Sequence, residues 1–293
     1  MRKFFQFENP LPPRPATDES NPHSPKTGRH SAVTLVELLV VLAVLAFSAT
    51  LLMPALARTQ PDSRAARCLN NHRQLCRAWL MYADDHNGEL AVNVFEAYLT
   101  PTQPTWAAGH LNWLTSEHNT NALYLTDPRY SIMAEYFGKD ARLFKCPADQ
   151  YLSPVQRSMG WKARVRSVSQ NIYASNNLGT GESAYAQVTK LSGLLNPKPA
   201  ETWISIDEHA DSINDSRFWA PYPLTLWSDI PANYHDGGAG FAFADGRGEV
   251  HRWQASVLKF RVGYQYPPVS PWANGDADMS WLRYHTPRPP GVN

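Results

Sequence analysis

The feature that most constrains this chain is a run of apolar residues from Val33 to Met53 that carries a single charge, Glu37. As a helix the run would extend about 32 Å at 1.5 Å per residue, close to the hydrocarbon thickness of a bilayer. Lys26, Arg29 and His30 precede it, and basic residues on that side predict a cytoplasmic N-terminus with the remainder of the chain outside. A carboxylate inside such a run costs roughly 2.5–3.5 kcal/mol near a bilayer centre, so Glu37 implies a partner that neutralises it. Without a partner, the run reads as a plain signal anchor, or as a secretory signal cut after Ala57 to release a chain starting at Arg58.

Residues 1–32 are proline-rich and lack apolar periodicity, which predicts a disordered segment. Residues 33–53 form the apolar helix and Pro54 kinks it. From Asp62 the positions Ala65, Cys68, Leu69, His72, Leu75, Cys76, Trp79, Tyr82 and Ala83 make one stripe of helical period. Residues 54–87 are therefore an amphipathic continuation, ended by the turn residues Asp85-His86-Asn87-Gly88. Residues 88–293 are expected to form a globular head outside the cytoplasm, in which short apolar runs separated by Pro, Gly, Asn and Asp predict small antiparallel strands and long loops. Trp203–Asp207 reads as a strand with Ile204 and Ile206 both inward. Residues 240–253 read as a hairpin closed by a two-residue Asp245-Gly246 turn, which sets Phe241 opposite Val250 and Phe243 opposite Gly248. The tail from 265 onward wraps the surface. The fold class expected is α+β: a long kinked N-terminal helix, then a small antiparallel sheet.

Lys+Arg number 27 against 26 Asp+Glu, a balance that excludes a strongly basic nucleic-acid binder. A mean hydropathy of −0.42 confines any membrane contact to one segment. The chain has no Gly-x-Ser-x-Gly elbow, no His-Glu-x-x-His, no Cys-x-x-Cys and no glycine-rich phosphate loop. His235 and Asp245, with Asp207, Glu208, His209 and His251 as candidate neighbours, therefore read as structural rather than catalytic. Asp207, Asp211, Asn214 and Asp215 make an oxygen-rich loop, and Asp236 lies beside the hairpin. These are the candidate ligands of a calcium ion, against the alternative of a solvated acidic loop. Three cysteines leave at least one without an internal partner.

The run Thr34-Leu35-Val36-Glu37-Leu38-Leu39-Val40-Val41 resembles the N-terminal methylation motif of type IV pilins and type II secretion pseudopilins. In that family a prepilin peptidase removes a basic leader, the new N-terminus is methylated, and the fifth mature residue is glutamate. The resemblance places the cut between Ala32 and Val33, where the family usually has Gly and Phe, and puts Pro54 at the family's kink. The segment His235-Asp-Gly-Gly-Ala-Gly-Phe-Ala-Phe-Ala-Asp245-Gly246 is similar to the His-x9-Asp-Gly signature of a pseudopilin-like family of planctomycetes and verrucomicrobia. Cys68-Leu-Asn-Asn, Trp79-Leu-Met-Tyr-Ala-Asp-Asp85 and Phe144-Lys-Cys-Pro-Ala-Asp149 match it as well. Because Cys68 and Cys146 both fall in these motifs, the resemblance implies a Cys68–Cys146 disulfide, against the alternative of three reduced, buried thiols.

The resemblance implies a structural subunit that catalyses nothing, anchored in the bacterial inner membrane and polymerising through its N-terminal helix. Glu37 would pair with the amino terminus of a neighbouring subunit. The implied partners are copies of itself or other pilin-like subunits, the prepilin peptidase and an inner-membrane assembly platform. The competing expectation is a membrane-anchored binding or enzymatic head that does not polymerise.

Overall fold

The computed structural model describes residues 34–94, 105–175, 187–220, 226–265 and 277–287, with the side chains of 49–62 excepted. The expected leader, Ala32 and Val33 lie outside the described residues, as does the side chain of Pro54.

Helical backbone, α1, runs over Leu35–Asp85, but the chain divides between Met53 and Pro54 into two compact units. The single kinked stalk expected from the sequence is therefore not seen. Among the described residues no helix is long and apolar enough to cross a membrane. This overturns the membrane half of the expected fold and the single-pass inner-membrane placement with its periplasmic head.

In the first unit Thr34 caps the helix. Its amide and hydroxyl donate to Glu37 Oε2 at 2.8 and 2.9 Å, and the Glu37 amide donates back to Thr34 Oγ1 at 3.3 Å. This reciprocal capping box satisfies free donors of the first turn. The bonds from Thr34 hold the Glu37 carboxyl below its ordinary value.

In the second unit the stripe read from the sequence faces inward: Cys68, His72, Leu75, Cys76, Trp79 and Ala83 are all buried. Asp85 ends the helix, because Asn87 and Gly88 take positive φ (54° and 80°) and the Gly88 amide closes onto Ala83 O at 2.7 Å.

The sheet has five strands in the order β3-β1-β2-β4-β5. They are β1 (Val168–Asn171), β2 (Trp203–Asp207), β3 (Arg217–Phe218), β4 (Gly238–Phe243) and β5 (Gly248–Arg252). It is mixed rather than antiparallel, since β3 runs parallel to β1. Two further sequence expectations change. The hairpin register is shifted by one: Gly240 opposes Val250 and Phe241 opposes Glu249. The loop holds three residues, Ala244 to Gly246, because Phe243 N bonds Arg247 O and Gly246 sits at φ +90°, the three-residue alternative to a two-residue turn.

The second change is a bulge in β2 between Trp203 and Ser205. It sends Ile204 into the cluster around Leu75, Trp79 and Phe144, whereas Ile206 joins Trp203, Phe241 and Trp253 on the opposite face. Both faces of the sheet are thus covered, one by the second-unit part of α1 and the other by an aromatic core that includes Leu282 of α4 (Ala277–Tyr284). Glycine makes the first of these contacts possible. A Cβ on Gly248 would sit 3.1 Å from Leu69 O, and one on Gly240 3.2 Å from the His72 ring.

On the aromatic face Trp281 of α4 stacks on His251, with centroids 3.8 Å apart, and packs at 4.3 Å on His285. Burial lowers both imidazoles, outweighing the opposing pull of Asp278 on His251. A histidine depressed in the fold adds stability above its unfolded value and loses it as pH falls. The melting temperature should therefore drop by on the order of a few degrees as pH goes below about 6.5, and His251→Phe should flatten that slope. Superimposable pH profiles for the two proteins would contradict this.

Candidate metal centre

Four side chains from four separate segments converge on the helix-covered side of the sheet. Cys68 comes from α1, Cys146 from the loop after the Ala141–Phe144 turn, Asp207 from the end of β2, and His235 from the turn entering β4. Each offers one ligand atom, and the four atoms lie within 4.8 Å of one another. Cys68 Sγ donates to Asp207 Oδ2 at 3.0 Å, Cys146 Sγ meets His235 Nε2 at 3.3 Å, and His235 Nε2 lies 3.3 Å from Asp207 Oδ2. Cys68, Cys146 and Asp207 are fully buried and His235 is 6% exposed. A buried cluster of two thiols, a carboxylate and an imidazole can hold a metal ion.

Local structure aims each group. The β2 bulge turns Ser205 and Asp207 toward α1, a common use of bulges beside functional sites. Asn71, one turn beyond Cys68, donates to Arg142 O and Lys145 O and so fixes the loop that carries Cys146. The Cys146 amide is held by Ser167 Oγ at 2.7 Å. Gly240 donates its amide to Asp207 Oδ2 at 3.1 Å, an approach open only because a Cβ there would lie 2.8 Å from the same oxygen.

A second layer stands behind Asp207. His72 Nδ1 bonds Ser205 Oγ at 2.8 Å, and His72 Nε2 lies 3.2 Å from Asp207 Oδ1. That last pair is close but misaligned, so neither atom completes a hydrogen bond. A buried carboxylate oxygen is thereby left without a donor, an arrangement rare in folded proteins.

The electrostatics follow from this convergence. Burial alone would raise the Asp207 carboxyl, but the neighbouring imidazoles of His72 and His235 outweigh it and hold Asp207 well below the usual carboxylate range. Burial would lower His235, yet its bonds to Asp207 and Cys146 lift it to about 10. Burial pushes the Cys68 thiol far up. At Cys146 the hydrogen bonds from Cys68 and His235 overcome burial and bring the thiol down.

The arrangement argues against a cysteine–histidine–carboxylate relay. Such a relay needs thiol and carboxylate on opposite nitrogens of the ring. Here both meet Nε2, and the thiol is fully buried.

The sequence-derived candidates separate. Of the calcium set only Asp207 belongs to the centre. Asp211 accepts from Trp113 Nε1 and the Gly263 amide, Asp215 accepts from the Arg217 amide, and Asp236 is exposed in a turn. Asp245 and Gly246 shape the hairpin loop, where Asp245 Oδ1 accepts from the Arg247 amide. His235 therefore has a different task from the Asp-Gly end of its own motif. Glu208 is held by Ser169 and Ser212, and His209 packs on Phe260. Cys68 and Cys146 are close, as the resemblance implied, but both are free thiols, as is Cys76. Sequence reading missed His72 and Ser205. His72 looked like one more member of the buried helical stripe, and Ser205 faces it only because of the bulge. The chain matches no protein-family model, no curated protein and no solved structure.

Proposed function

We propose that this chain is a structural, pilin-like subunit that assembles into a filament through its apolar N-terminal helix and catalyses no reaction. The observation that carries this reading is the exposure of that helix. Leu35, Val36, Leu38, Leu39, Val40 and Val41 are all at least half exposed, and so is Phe47 further on. A helix that is apolar on all sides needs cover, and the same helix from neighbouring copies supplies it. Glu37 is the one charge in this surface, and its carboxylate is already kept ionised by Thr34. In a dry bundle of helices it would still need a cation. The amino terminus of an adjacent copy, freed by cleavage between Ala32 and Val33, would be that cation and would fix the axial register.

The metal this subunit would carry is not calcium. Calcium takes six to eight oxygens, whereas the side chains of this centre bring one carboxylate beside two sulfurs and an imidazole.

Expression of the full chain with a prepilin peptidase and its assembly machinery tests the reading. Filaments in electron micrographs and a methylated Val33 at the mature N-terminus are expected, and Glu37→Ala should abolish the filaments while the second unit stays folded. A mature chain beginning at Arg58, or one still beginning at Met1, overturns it. Filaments unaffected by Glu37→Ala would do the same.

A further inference from the structure

The four converging groups are drawn from positions far apart in the chain: Cys68 and Asp207 are 139 residues apart, Cys146 and His235 are 89 apart. Bringing groups together across loops of that length carries a closure entropy that favourable contacts at the meeting point must offset. We propose that Cys68, Cys146, Asp207 and His235 are the four ligands of a structural divalent ion of the zinc class, which ties α1 to the sheet.

Geometry supports this first. Zinc–sulfur bonds of about 2.3 Å and zinc–nitrogen or zinc–oxygen bonds of about 2.0–2.1 Å, at tetrahedral angles, place ligand atoms about 3.3–3.8 Å apart. The contacts of 3.0 and 3.3 Å and the outer limit of 4.8 Å bracket that range. The three close contacts share His235 Nε2 and Asp207 Oδ2, so both sulfurs approach the same imidazole–carboxylate pair.

The donor chemistry selects the class. Two sulfurs and a ring nitrogen suit a borderline-soft ion and not a hard one. Two thiolates and a carboxylate also bring three negative charges together without solvent, a gathering that a divalent ion offsets. Loading expels the thiol protons to solvent, so uptake is linked to pH.

The ligand count assigns the role. Four protein ligands with no open position make a closed, structural site. The supporting layer is in place: Ser205 orients His72, whose ring faces the free oxygen of Asp207, and the Gly240 amide holds the ligating one. His235 also lines a cleft of about 350 Å³ together with Arg64, Ala65, Ala148 and Tyr234.

The test uses the full chain, both wild type and Glu37→Ala, so that a failure to form filaments does not affect it. Elemental analysis of protein purified without chelator should find about one zinc per chain. After chelation, Co²⁺ should restore the intense visible bands of a tetrahedral site together with near-ultraviolet thiolate-to-metal absorption. Cys146→Ser and Asp207→Asn should lose the zinc, and His72→Gln should weaken zinc binding about 10–100-fold as an orienting residue. Cys76→Ser, whose thiol lies elsewhere against Phe243 O, should leave metal content and spectrum unchanged. Folded wild-type protein that takes up neither Zn²⁺ nor Co²⁺ overturns the proposal, even should the ligand variants fail to fold. Zinc retained in folded Cys146→Ser or Asp207→Asn, or lost in Cys76→Ser, overturns it equally.

Discussion

Asp207→Ala is expected to cost the second unit about 3–5 kcal/mol, the range for removing one partner from a buried ionic cluster. Against a typical total of about 5–15 kcal/mol, that is a large share of what holds the fold. The reason is the number of groups that depend on this one carboxylate. The Cys68 thiol and the Gly240 amide donate to it, and His72 and His235 both face it from within 3.3 Å. Alanine would leave these buried groups without their shared partner. Chemical denaturation should show a lower midpoint with an unchanged slope. Asp207→Asn keeps an acceptor for Gly240 but removes the charge, so it should fall between the two. An alanine variant as stable as wild type in metal-free buffer would refute this account of the centre.

The second large effect is expected at Gly240→Ala. The added Cβ would stand 2.8 Å from Asp207 Oδ2 and 3.2 Å from two atoms of the His72 ring. Neither neighbour is a flexible chain end: the carboxylate is fixed by its partners and the imidazole by Ser205. Overpacking of this kind costs about 1–3 kcal/mol, and here it also displaces a proposed ligand. Gly240→Ala should therefore lower both the melting temperature and the zinc content. Gly246→Ala provides the contrast. It meets no atom within 4 Å but must hold φ at +90°, so it should destabilise through the hairpin loop and leave zinc content untouched. Equal zinc content in the two alanine variants would separate Gly240 from the centre.

The periodicity of the second-unit helix was legible because 3.6-residue spacing survives any tertiary context: Cys68, Leu75, Cys76, Trp79 and Ala83 are buried where the stripe places them. Turn chemistry was legible for similar reasons at Asn87-Gly88 and, in part, at Asp245-Gly246. The loop length at the second site was not, and a one-residue change there shifts the whole register of β4 against β5. The bulge in β2 leaves no local trace in Trp203-Ile-Ser-Ile-Asp207, because it arises from pairing with β4. An alternating reading put Ile204 and Ile206 together and could not direct Ser205 and Asp207 at a helix more than a hundred residues earlier.

By itself, the sequence determined the short-range features: an apolar run holding one acidic residue, an amphipathic helix after it, and short apolar strands punctuated by turn residues. Those depend on spacings of a few residues and on side-chain size. Only the tertiary structure decided that a cysteine of the helix, a cysteine of a loop, an aspartate at a strand end and a histidine in a turn share one buried point. Their meeting rests on a bulge, a register and a glycine contact, none of which is set by residues near them in the chain. It also decided where two carboxylates of the acidic loop go, since Asp211 and Asp215 bond to separate backbone and indole donors once the strands are in place.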